Sequence, residues 1–95
     1  MKTDDILKEE IEKWSKKIGT ELENIESYGT KGREFLDNIK AYVSDSAHFL
    51  QNGDLVRSFE AIIWAWAWLE IGKDLEFLKT EYVDIKQIRN IKTTR

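Results

Sequence analysis

The strongest constraint on this chain lies between Leu55 and Leu78, a proline-free run that is apolar nearly all the way round a helix. At about 100° per residue, Leu55, Phe59, Ile62, Trp66, Leu69 and Phe77 project to one side, and Trp64, Trp68, Ile71 and Leu75 to the opposite side. Ser58, Ala61, Ala65 and Gly72 form a strip of small residues between them. A helix of this composition is buried on more than one face, so other elements must pack around it.

The preceding sequence supplies two such elements. From Asp4 to Ser27 the apolar residues Leu7, Ile11, Trp14, Ile18, Leu22 and Ile25 recur at intervals of three and four, which is one stripe along a first helix. Thr3, Asp4 and Asp5 sit where an N-cap and dipole-favoured acids belong. Gly29 and Gly32 give the permissive backbone of a reversal, and a second helix follows over residues 33–51, with Phe35, Leu36, Ile39, Tyr42 and Val43 among its apolar set. The next break is sharper still. Gly53 suits the left-handed position that ends a helix, and Asp54 is a good N-cap for the helix over residues 55–78. Short connections make sequential helices antiparallel. The expected architecture is therefore all-α, a three-helix up-and-down antiparallel bundle over residues 1–78 with a C-terminal tail over residues 79–95.

Charge separates these two parts. The formal net charge of -3 conceals 10 Lys and Arg against 16 Asp and Glu up to Leu78, followed by 5 against 2 from Lys79 onward. Nucleic-acid contacts need clustered positive charge, so the acidic body is not expected to bind nucleic acid, and the basic tail offers at most weak binding. In the tail, Tyr82, Ile85, Ile88 and Ile91 fall on every third residue beside Lys86, Arg89, Lys92 and Arg95. This spacing suits a short amphipathic helix laid over the body, and an extended segment from Tyr82 to Ile88 is the alternative. The chain has no cysteine, which excludes disulfides, thiolate metal sites and a cysteine nucleophile. Acidic residues interrupt the opening MKTDDILKEEIEKW where a secretory signal has an apolar core, and no segment reaches the ~18 apolar residues of a membrane span. The expectation is a cytoplasmic protein without membrane attachment.

Few residues point to chemistry. Asp45 and His48 stand three apart, as carboxylate and imidazole ligands do in helical metal sites, but the chain holds one histidine and the pair is not repeated. No metal and no cofactor are expected. Glu60 and Glu70 lie on the otherwise apolar third helix, where a buried carboxylate needs a partner such as Arg57 or Lys73. No glycine-rich phosphate loop or nucleophile motif is present, so an enzyme is not expected and no catalytic residue is assigned.

The stretch from Tyr42 to Leu75 resembles the archaeal family known as domain of unknown function 357. The matching features are Tyr42 with Asp45, Ser46 and Ala47; Phe49 and Leu50; the Gly53 and Asp54 turn; Ser58 and Phe59; Trp64 and Ala65; and Trp68, Leu69, Glu70 and Gly72. The resemblance implies a three-helix bundle in an archaeal cytoplasm and brings no activity with it.

The third helix has more apolar surface than a bundle core uses. The functional expectation is accordingly a protein-interaction or self-association module whose interaction face is Trp64, Trp68, Ile71 and Leu75, with a homo-oligomer or another protein as partner. The alternative is a small-molecule or metabolite binding protein with a pocket between the second and third helices near Tyr42, Asp45 and His48.

Overall fold

A computed structural model describes residues 2–80 of the chain. Helix α1 spans Lys2–Glu23, strand β1 Ile25–Ser27, helix α2 Gly29–Gln51, helix α3 Leu55–Asp74 and strand β2 Leu78–Thr80. The fold is an all-α bundle of three helices, closed at one end by a two-stranded antiparallel clasp in which Ile25, Glu26 and Ser27 face Thr80, Lys79 and Leu78. Beyond Thr80, the expected helix or extended segment of the tail lies outside the described residues.

Helix α3 is the central element, packed against both α1 and α2 and most closely against α2. Its contacts with α2 run in opposite directions along the two chains: Phe35 meets Trp68, Tyr42 meets Trp64, and Ser46 meets Ser58. Those with α1 run in the same direction, from Trp14 and Trp66 to Glu21 and Lys73. The path is therefore up, down and up. Ile18 of α1, Ile39 of α2, and Ile62, Ala65 and Leu69 of α3 are buried at the centre, with Leu78 of β2 closing the base.

The strip of small residues on α3 decides which side becomes core. Ser58, Ala61, Ala65 and Gly72 are all buried, so the two backbones approach where side chains are shortest. At the closest point the Ser46 hydroxyl donates to the Ser58 carbonyl at 2.8 Å and the Ser58 hydroxyl donates to the Ser46 carbonyl at 2.7 Å. Each buried hydroxyl is thus satisfied by the partner helix, and no buried side-chain polar atom among the described residues lacks a partner.

Four helix boundaries differ from the sequence expectation, beginning with α1, which starts at Lys2 so that Thr3 lies inside it and does not cap it. The first helix stops at Glu23, short of Ser27, because residues 25–27 pair as β1 with the chain leaving α3. The third stops at Asp74, short of Leu78. There Glu76 takes a left-handed conformation at φ 63°, Phe77 N–H donates back to the Gly72 carbonyl at 2.9 Å, and Glu76 N–H donates to that of Lys73 at 3.1 Å. This bond pattern is a Schellman termination, which normally uses glycine and here uses glutamate. The second helix begins at Gly29 and not at Arg33, because Gly29 alone makes the turn, at φ 70°.

Gly32 has a different role from the reversal expected of it. It is buried in the first turn of α2, and a Cβ placed there would stand 2.5 Å from the Phe77 carbonyl oxygen. Its missing side chain admits the clasp. The other end follows expectation: Gly53 sits at φ 78°, and the Asp54 carboxylate accepts from the Arg57 backbone N–H at 3.1 Å.

Candidate interaction surface

With the small-residue strip turned inward, the remaining arc of α3 faces outward. Val56, Ile63, Trp64, Ile71 and Leu75 lie along it with relative exposures between 43% and 71%. The helical period places all five within one third of the circumference, with Glu60, Ala67 and Asp74 set among them. Exposed Glu60, Glu70 and Asp74 share this outward arc.

The four residues of the expected interaction face separate into two groups. Trp64, Ile71 and Leu75 are exposed, whereas Trp68 is half-buried and its ring meets Phe35 edge-on at 4.8 Å, fixing it between α2 and α3. Val56 and Ile63 were not expected on this surface. Their signal was present in the sequence, since the same helical projection sets both close to Ile71.

Trp64 is not a free rotor. Tyr42 of α2 stacks on its indole with ring centroids 6.4 Å apart and planes 20° apart. Tyr42 therefore supports the exposed aromatic and does not open a cavity with its expected partners. Asp45 and His48 are both exposed one and two turns further along α2, and the Nε2 atom of His48 lies 3.1 Å from the Asn52 side-chain nitrogen. The structure does not gather Tyr42, Asp45 and His48 around a pocket. Among the described residues, no group of three or more His, Cys, Asp or Glu side chains is placed to hold a metal ion.

Two open grooves lie away from these residues. One open groove of about 290 Å³ runs between α1 and α3, lined by Lys17, Thr20, Glu21 and Trp66. Its floor is built by packing: the Trp66 indole N–H donates to the Trp14 carbonyl at 3.1 Å, and the two rings meet edge-on at 5.6 Å. Lys13 and Lys17 lie over the Trp14 ring at 5.2 and 4.8 Å. The Glu10 carboxyl is held below the usual carboxylate range, first by its hydrogen bond with Lys13 and then by the Trp14 indole N–H.

The glutamates of α3 are surface groups. Glu70 pairs with Lys73 at 3.8 Å, and Lys73 also reaches Glu21 at 3.5 Å. Arg57 is engaged by Asp54 at 3.6 Å, which leaves Glu60 and Asp74 without an ion pair among the described residues. The outward side of α3 is thus apolar along its length and acidic on balance.

These features define a small helical-bundle protein with one apolar helix side that the other described elements leave uncovered. No helix among the described residues is long and apolar enough to cross a membrane. Residues 5–78 match the model of the family described as protein of unknown function DUF357, and the chain belongs to that family. It is similar to protein AF1782 from Archaeoglobus fulgidus, whose crystal structure shares 44% sequence identity and superposes with a TM-score of 0.75. That similarity covers 82% of this chain and 97% of the other. No curated protein matches the sequence.

Proposed function

We propose that this protein acts by binding and not by catalysis, as a small helical interaction module whose docking surface is the outward side of α3. The observation that carries this reading is the alignment of Val56, Ile63, Trp64, Ile71 and Leu75 on one side of one helix, each at least 43% exposed. Leaving apolar area in water costs about 25 cal/mol per Å², and contiguous patches of this kind mark binding sites in soluble proteins. The residue types agree. Tryptophan is favoured at interface hot spots, and the Tyr42 ring holds Trp64 in place before a partner arrives, which lowers the ordering cost of binding. A partner segment would be apolar along one edge and basic beside it, to meet Glu60 and Asp74.

The four indole N–H groups give a direct test, because indole N–H protons resonate apart from the backbone amides and single Trp→Phe variants assign them. In the full chain the Trp64 indole is expected to be shielded from a soluble paramagnetic agent well beyond what its 52% exposure in the single chain dictates. The variant Trp64→Glu with Ile71→Glu is expected to keep the fold. A Trp64 signal attenuated as freely as that of a half-exposed indole, at every protein concentration and in native extract, would remove the reading.

A further inference from the structure

We propose that the occupant of the outward side of α3 is the chain's own segment 81–95, docked in cis between Leu75 and Glu60. The proposal rests on the reading of that side as a docking surface, and names what covers it.

The clasp leaves the chain near the C-terminal end of α3, on its inward strip and beside Ile25, so the segment that follows would have to round that end to reach the outward side. Leu78 packs against Gly72 near the end of α3, and the described chain stops at Thr80, five residues past the helix cap Leu75. Five residues span at most about 17 Å, so residue 81 starts within reach of the C-terminal end of the apolar side. The following fifteen residues would cover about 22 Å if helical, which equals the rise of α3 from Glu60 to Leu75, and more if extended. Reach is no obstacle. A tether this short also sets an effective concentration in the millimolar range, which favours a segment of the same chain over a second copy at ordinary protein concentrations.

The chemistry of the segment complements the surface. Tyr82, Ile85, Ile88 and Ile91 supply an apolar residue at every third position, and Lys86, Arg89, Lys92 and Arg95 a basic one alongside. The surface offers apolar side chains between exposed Glu60, Glu70 and Asp74. The cations of α3 are already engaged, Arg57 by Asp54 and Lys73 by Glu21 and Glu70. Pairing of α3 with α3 from a second copy in antiparallel register would bring Glu60 to the neighbourhood of Glu70, acid against acid. The segment from residue 81 brings the missing positive charge. An external partner would then have to displace it, so this segment would set the threshold for binding.

Zero-length carbodiimide cross-linking of the full chain tests the proposal, using a one-to-one mixture of chains with natural nitrogen and with nitrogen-15. Lys86 and Lys92 are the two lysine side chains of the segment. The expected result is Lys86 joined to Glu70 or Asp74 and Lys92 joined to Glu60, within chains of a single isotope. These links should be lost in the full-length variant Ile85→Asp with Ile88→Asp and weakened at high salt, where exposed charges are screened. The variant lies outside the bundle core, and the unchanged edge-on contact of Trp14 with Trp66, read by near-ultraviolet circular dichroism, checks that the body is folded. Links scattered equally over the acids of α1 and α2, links that survive the double substitution, or links found only between isotopes would each overturn the proposal. If Trp64 is shielded in those cases, the docking surface stands with another occupant; if Trp64 is unshielded and no preferred links form, both readings fall.

Discussion

Two residues beside the clasp, Gly32 and Glu76, show opposite solutions to the same backbone problem. Gly32 needs no unusual backbone angle but must lack a side chain, because a Cβ would press on the Phe77 carbonyl oxygen. Alanine would gain about 1 kcal/mol of helix propensity there. Overpacking against a backbone atom that cannot swing away costs up to about 3 kcal/mol and wins. Gly32→Ala is expected to lower stability by about 2 kcal/mol, measured by urea unfolding. Glu76 has the reverse difficulty, an exposed side chain at φ 63°. The left-handed conformation costs a non-glycine residue roughly 1–2 kcal/mol, whereas glycine adds about 0.4–1 kcal/mol of unfolded-state entropy. Glu76→Gly is therefore expected to stabilise the protein by about 0.5–1 kcal/mol, and a lower midpoint than wild type would show that the glutamate side chain has a compensating role. Neither feature was legible from composition. Gly32 reads as a turn residue in the sequence because its neighbour Gly29 is one, and a left-handed glutamate carries no sequence signal.

Helix α3 carries two surfaces that hydropathy alone does not distinguish. Ile62 and Ile71 are the same residue type on the same helix, yet Ile62 is fully buried and Ile71 is 50% exposed. Truncating a buried isoleucine removes transfer energy and leaves a cavity, for a loss of about 2–5 kcal/mol, whereas surface changes usually stay within about 0.5 kcal/mol. Ile62→Ala should accordingly destabilise severalfold more than Ile71→Ala. Comparable losses at both positions in the full chain would mean that Ile71 is covered in solution, and the comparison therefore also reports on the docking surface. The sequence established that this helix had two apolar sides. It did not show that the small-residue strip would be the contact, because the choice depends on how close α2 can come, and the Ser46 and Ser58 hydroxyls can exchange bonds with each other's backbone only at short range.

Across the whole molecule, the sequence by itself determined the helical period, the number of helices, the tight turn at Gly53 and Asp54, and the excess of apolar surface on the third helix. These are local properties, fixed by side-chain spacing and by residues with particular backbone preferences. The shared pattern from Tyr42 to Leu75 extended that reading to a family whose match spans residues 5–78. Tertiary structure decided the rest. The β1–β2 pairing joins Ile25–Ser27 to Leu78–Thr80, segments with three-residue strands too short to show an alternating pattern and too far apart for local propensity to couple. Packing against α2 took Trp68 from the expected interaction face, and Val56 and Ile63 emerged on it. It also stacked Tyr42, expected to line a pocket, against Trp64. The pattern of apolar residues says how much surface a helix must bury, while only the positions of its neighbours say which part of that surface they leave uncovered.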